Sequence, residues 1–275
     1  NLYYNKNQEE YAYKLCKKSF ADKVFFTNSG AEAIECGIKV VRSYWSHHKK
    51  NKKKIITFDG AFHGRTFAAI SAQQNSKYSK GFEPLLNGFY KVPFNDIDTL
   101  EKSIDNETAA ILIEPIQGEG GIRVAHLDFL KSIREICNKN KILLFLDEVQ
   151  SGFGRSGKMF SYEWANIKPD ILASAKGIGS GFPMGACLST KEACIGMTMG
   201  THGSTYGGNA LAISVGKVVL EIIENKNFLT KVDKIARYLW NKLKEMEIVH
   251  KDIIEIRGAG LLLGIKTKSN NIKVF

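Results

Sequence analysis

The chain has 275 residues, of which 44% are hydrophobic and 24% charged. That apolar content supports a packed core and excludes intrinsic disorder, and no apolar run approaches the ~18 residues of a membrane span. The formal net charge of +11 suits an anionic partner, either a nucleic acid or a small acidic substrate.

Five cysteines, at positions 16, 36, 137, 187 and 194, are an odd number without a CxxC pair. This argues against a disulfide scaffold and the common zinc signatures, leaves no metal site to expect, and fits a reducing cytoplasm. The opening residues, Asn1-Leu2-Tyr3-Tyr4, lack both an initiator Met and a signal-peptide pattern. They are the start expected of a piece of a longer, cytoplasmic chain.

In chain order, Val24–Thr27 reads as a strand and Ala31–Trp45 as a helix, with apolar residues at 34, 38, 41 and 45. The lysines at 49, 50 and 52–54 follow as a solvated helix end, where cations suit the helix dipole. A nucleic-acid patch is the sharper alternative, but no aromatic stacking motif accompanies them. Ile55–Phe58 is a strand, Asp96–Ile104 a short helix, Ala109–Ile113 a buried strand and Leu127–Cys137 a helix. Ile142–Leu146 is a fully apolar strand that runs into Asp147-Glu148, and Ile171–Ala173 is another short strand. Ala210–Ile223 is a long apolar helix, expected to be a buried connector, and Phe228–Met246 is amphipathic. Two strand-like runs follow within 253–265, around Arg257–Gly260. Alternating strands and helices predict an α/β fold with a mostly parallel sheet flanked by helices. The change in character near 225 predicts a large domain over 1–224 and the beginning of a small C-terminal α+β domain over 225–275.

Ligands of such sheets sit beyond the carboxyl ends of the strands. Three segments there carry chemistry. Asn28-Ser29-Gly30-Ala31-Glu32 joins a strand to a helix, so its free N–H groups and the positive end of the helix dipole form an anion cradle. Ser29 can cap the helix, and Gly30 lets a phosphate approach closely. Asp147 places a carboxylate at the ligand edge, able to hold a protonated heterocyclic nitrogen. Lys176 lies among small residues after a strand, and desolvation there favours its neutral, nucleophilic form. An apolar run ending in Asp-Glu is also a Walker-B pattern, and Gly152–Lys158 matches GxxxxGK. That match follows the acid instead of preceding it and has Met159 in place of the Mg²⁺-binding hydroxyl, so an ATP-binding protein is the disfavoured alternative. Phosphate cradle, acid and lysine together supply what pyridoxal phosphate needs: a seat, a partner for its ring nitrogen and an amine for its aldehyde.

The sequence resembles the class III (ω-amino acid) pyridoxal-phosphate aminotransferases over essentially its whole length. The matching blocks are Phe26–Glu32, Ala61–Thr66, Glu114–Gly121, Leu146–Gly157, Lys168–Asp170, Ser174–Gly179 and Thr201–Asn209. The resemblance implies the large domain of the type I fold, and a homodimer with shared active sites. It implies that Lys176 carries the cofactor and the proton transfers, and that Asp147 keeps the ring nitrogen protonated. Ser29, Gly30 and Ala31 would bind the phosphate. Phe62 and Val149 would cover the two ring faces, and Gln150 would reach the ring hydroxyl. Thr205 would complete the phosphate seat of the neighbouring subunit. Arg65, as a carboxylate fork, Ser204 and the switch residue Glu119 would meet the substrate; His63 is given no role. The implied reaction moves the terminal amine of an N-acylated ornithine, N-acetylornithine first, to 2-oxoglutarate, as in arginine biosynthesis. Ornithine, 4-aminobutyrate and succinyl-diaminopimelate remain alternative donors. The family's chains extend beyond this one at both ends, and residues 269–275 leave its pattern.

Overall fold

Apolar, β-branched and aromatic runs become strands here wherever helices can cover both of their faces. The computed structural model of the chain describes residues 4–269. Asn1–Tyr3 and, Ser269 apart, the stretch that departs from the family pattern lie outside the described residues.

Helix α1 (Lys6–Lys17) starts at Asn5, whose side chain accepts from the N–H groups of Asn7 and Gln8. Strand β1 (Lys23–Thr27) runs into α2 (Gly30–His47). Strand β2 (Lys54–Phe58) is followed by α3 (Phe67–Gln73), α4 (Ser76–Ser79) and β3 (Phe89–Val92). Helix α5 (Ile97–Ser103) leads to β4 (Thr108–Ile113), then to a small hairpin of β5 (Ile116–Gln117) and β6 (Arg123–Val124), and then to α6 (Leu127–Asn140). Next come β7 (Leu143–Asp147), α7 (Tyr162–Ala165), β8 (Ile171–Ser174) and β9 (Gly185–Ser189). Helices α8 (Ala210–Glu224) and α9 (Lys226–Val249) precede the hairpin β10 (Ile253–Ala259) and β11 (Leu262–Thr267). The elements expected from periodicity are present with small shifts at their ends. Helices α1, α3, α4 and α7 and strands β3, β5, β6 and β9 are additions to that expectation.

Seven strands form one sheet in the order β1-β9-β8-β7-β4-β2-β3. Strand β9 is antiparallel to both β1 and β8, and the remaining pairings are parallel. Strands β1, β8, β7, β4 and β2 therefore all deliver their carboxyl ends to one edge. Strands β4 and β7 are buried at every position and lie between α2 and α6. The β10–β11 hairpin forms its own two-stranded sheet.

Helix α8 is buried on one side within a single chain. It buries Ala212, Ile213, Gly216, Leu220 and Ile223, with Gly216 backed against the Tyr11 ring of α1, but Leu211, Val218 and Ile222 point outward. Its apolar content is spread around the helix, so within one chain only half of it finds a partner. Ion pairs of Lys217 with Glu10 and Glu221 with Lys14 flank the buried half.

Helix α2 sits close to the sheet because Gly37 faces Phe145 of β7: a Cβ at position 37 would lie 2.1 Å from the ring. Phe145 is fully buried and has no room to turn away. Gly37→Val is expected to lower the unfolding free energy by about 2 kcal/mol through overpacking, read as a lower urea midpoint at unchanged m-value. An unchanged midpoint would show that the α2–sheet contact yields freely.

Candidate active site

At the ligand edge, the turn after β1 and the ends of β7 and β8 surround one cavity of about 350 Å³. Ser29, Gly30, Ala31, Phe62, Asp147, Val149, Gln150 and Lys176 all line it, so the structure brings together eight of the residues expected from sequence. His63, Glu114 and the segment Gly181–Met184 line it as well. That segment enters here because β9 runs backwards, which pairs Gly185 with Thr27 at the cavity edge.

The anion cradle is built by capping. Ser29 Oγ accepts from the N–H of Glu32 at 3.2 Å, and the Glu32 carboxylate reaches back to the backbone N–H and side-chain amide of Asn28 at 2.8 and 2.9 Å. The first-turn amides of Gly30 and Ala31 have no acceptor inside the helix, and both residues line the cavity. Position 30 must be glycine for space: a Cβ there would lie 2.8 Å from Val149 Cγ1.

Asp147 is buried, and its two carboxylate oxygens are engaged separately. Oδ1 accepts from the N–H of Val149 at 3.0 Å, and Oδ2 lies 2.8 Å from His63 Nδ1. His63 is itself buried, and its Nε2 has no partner among the described residues. The sequence does not announce this contact, because a lone histidine between Phe62 and Gly64 carries no spacing signal. Its one clue is its place within the block 61–66. Glu114 lies beside Asp147. Burial, with the Asp147 charge added, pushes its carboxyl well above the usual range, and it accepts from the Phe62 N–H at 2.9 Å.

Lys176 follows β8 at a positive φ of 46°, which a residue other than glycine or asparagine adopts at a cost of roughly 1–3 kcal/mol. Its side chain lies at the cavity wall, partly open to solvent. Burial is the larger influence and moves its pKa below the ordinary lysine value; the charges of Glu119, Asp147 and Glu114 oppose that. The neutral amine is thus reached at lower pH than on an exposed lysine.

Of the other four expected residues, Glu119, Arg65 and Ser204 each touch a residue that lines the cavity, and Thr205 does not line it. Gln150 Nε2 donates to Glu119 Oε1 at 3.4 Å. The Arg65 guanidinium lies 5.6 Å from the centroid of the Phe62 ring. Ser204 Oγ accepts from Asn28 Nδ2 at 3.2 Å and from the Gly207 N–H at 3.0 Å, which ties its loop to the cradle. Thr205 is exposed.

Two alternatives find no site. Residues 152–159 form successive turns, and Lys158 lies over the Trp164 ring at 5.0 Å, so there is no strand–loop–helix cradle for a nucleotide. The lysine run borders a larger but open groove of about 1280 Å³. Lys52 lies 4.8 Å over Trp45 and Lys54 4.7 Å over Tyr90, so these aromatic faces are covered from within the chain. The groove is lined by these lysines with Glu107 as its one acid among the described residues, whereas the smaller cavity gathers Lys176, Asp147, Glu114 and His63. Among the described residues there is no cluster of metal-ligating side chains, and no helix is long and apolar enough to cross a membrane.

Next to Asp147, Glu148 is fully buried. It accepts from the N–H groups of Ser161 and Tyr162 at 2.7 and 2.9 Å and from Ser151 Oγ at 3.0 Å, which pins the loop between them. Burial outweighs these donors and pushes its pKa up to about 7. An acid raised in this way binds its proton more tightly folded than unfolded. Its contribution is fully present below the unfolded value, about 4.5, and is lost as pH rises through about 7. Wild type should therefore gain up to about 3 kcal/mol of unfolding free energy relative to Glu148→Gln between pH 7.5 and pH 5. Parallel urea curves for the two proteins across that range would remove Glu148 as the source.

The family model described as aminotransferase class-III matches residues 1–274. The acetylornithine aminotransferase of Agrobacterium fabrum is 54% identical over 98% of this chain and 68% of its own. The acetylornithine aminotransferase of Aquifex aeolicus is 47% identical over 97% of this chain and 69% of its own. Among solved structures, the N-acetylornithine aminotransferase of Stenotrophomonas maltophilia is 34% identical with a TM-score of 0.82, covering 98% of this chain and 66% of that one. The ornithine aminotransferase of Toxoplasma gondii is 30% identical with a TM-score of 0.92, covering 97% of this chain and 65% of that one. The chain thus spans about two thirds of the length of the relatives it matches.

Proposed function

The chain belongs to the class-III aminotransferases, and we propose that it transfers the terminal amino group of N-acetylornithine to 2-oxoglutarate with pyridoxal phosphate as cofactor. The observation that carries this reading is the meeting of Lys176, the Asp147–His63 pair and the capped turn at Gly30 around one cavity. The residues present fit the cofactor: the turn is kept open by the absent Cβ at position 30, an acid stands at the cavity wall, and an amine faces it. The donor is supported by the relatives of near 50% identity that bear the acetylornithine name. Arginine biosynthesis in the cytoplasm is the setting that follows from it.

When bound, pyridoxal phosphate supplies an aldehyde for amine exchange and an electron sink for the carbon that loses its proton. The chain does the rest. The Gly30 and Ala31 amides and Ser29 hold the phosphate at the positive end of α2. The Asp147 carboxylate, oriented by His63 and the Val149 N–H, holds a protonated ring nitrogen by a charge-assisted hydrogen bond. Phe62 and Val149 would cover the ring faces and Gln150 would meet the ring hydroxyl, since all three line the cavity. Lys176 Nζ, neutral at lower pH than an exposed amine, would act as the base that takes the proton from the substrate carbon bearing the amine and, once protonated, as the acid that gives it back. Arg65, Ser204 and Glu119 read the substrate. Thr205 of the partner subunit completes the phosphate seat, so the active form is a homodimer. A large unit to residue 224 and a smaller unit from 225 complete the reading, with the β10–β11 sheet in the smaller one.

A second reading takes free ornithine as donor. It is favoured by the higher TM-score of the ornithine aminotransferase neighbour, though the sequence identities favour the acetylated substrate. A panel of donors at equal concentration decides between them, with N-acetylornithine expected to give the highest kcat/KM. Higher kcat/KM for ornithine or 4-aminobutyrate would overturn the donor and leave the chemistry. Lys176→Ala should cut turnover by at least about a thousandfold with the fold intact by circular dichroism. Turnover within tenfold of wild type would contradict the role given to Lys176.

A further inference from the structure

We propose that Tyr78, on the short helix α4, is a positioning residue that holds the Arg65 guanidinium beside Phe62 at the rim of the cavity, ready to grip a substrate carboxylate; this rests on the reading of Arg65 given above. The Arg65 guanidinium carbon lies 4.3 Å from the centroid of the Tyr78 ring and 5.6 Å from that of Phe62. The two rings meet edge to face, with centroids 5.6 Å apart and planes at 77°. Arg65 is exposed, and among the described residues its guanidinium contacts are with the two rings, that of Tyr78 the nearer. A free arginine loses rotamer freedom when it captures a ligand. A guanidinium already held on an aromatic face loses less of it, which favours binding by pre-organisation. The anchors of both rings are short-range. The Phe62 N–H is fixed by Glu114, and α4 is capped by Asn75, whose side chain accepts from the Lys77 N–H at 3.0 Å. Lys77 Nζ also lies 5.4 Å from the Tyr78 ring, and a second cation on that ring adds positive potential for an arriving carboxylate.

Tyr78→Leu removes the ring, and Tyr78→Phe keeps it. In the cofactor-loaded protein, Tyr78→Leu should raise the KM for N-acetylornithine three- to tenfold with kcat within twofold, and Tyr78→Phe should stay within twofold of wild type in both. The same acylated diamine without its carboxylate should be used equally by all three proteins. In the protein with isotope-labelled arginine, the Arg65 Hδ resonances should be shifted upfield by the rings in wild type and Tyr78→Phe, and this shift should be lost in Tyr78→Leu. The proposal is overturned if Tyr78→Leu leaves KM unchanged, if it raises KM equally for the carboxylate-free donor, or if the Arg65 resonances are unshifted in wild type. If wild type uses both donors equally well, the carboxylate role of Arg65 fails, and the resonance shifts alone then decide whether Tyr78 holds it.

Discussion

A buried carboxylate at the end of an apolar strand is the constraint on which the site depends. Asp147 is 4% exposed and follows four buried hydrophobic residues of β7. An uncompensated charge there costs several kcal/mol. The fold compensates it from two directions, with the Val149 N–H on one oxygen and His63 Nδ1 on the other. The irregular segment 61–64 brings His63 to Asp147 at the end of β7 and holds Gly64 at a φ of +128° close against Ala31. The acid, the histidine and the cradle at Ala31 are therefore fixed by one another.

The second constraint is the close approach of α2 to the sheet. With glycine at both 30 and 37, the helix axis lies near Val149 and Phe145, so the amides at its N-terminus open directly above the ends of β7 and β8. A bulkier helix face would lift the anion seat away from Lys176 and Asp147. The backward strand β9 completes the arrangement by bringing Gly181–Met184 to the same edge, where the segment lines the cavity and leads into Gly185, packed against the Ser29 carbonyl at the start of α2.

Much of this arrangement is legible in the amino-acid sequence. The apolar runs at 55–58, 109–113 and 142–146 stop at polar or Gly-rich segments, which mark the ligand edge, and the order of Gly30, Asp147 and Lys176 along the chain points to one cofactor. Strand β9 is illegible because Gly185–Ser189 is made of small and mixed residues and is buried by its neighbours, not by its own pattern. Helix α1 is obscured by its low apolar content, although Tyr11 and Leu15 are fully buried. His63 and Tyr78 are invisible as functional residues for one shared reason: each acts through a through-space contact to a residue far along the chain or on another turn, and spacing carries no trace of that. The helix 210–224 is apolar all round in composition while its packing within one chain is one-sided.

The central claim is that Lys176 is the amine that carries the cofactor at this cavity. The most direct test incubates the protein with pyridoxal phosphate, reduces it with borohydride, digests it and identifies the modified peptide by mass spectrometry. One dominant stoichiometric label is expected on Lys176, in the peptide that contains Ala173–Gly179, abolished in Lys176→Ala. A label spread over the surface lysines, or one dominant label at a different position, would contradict it.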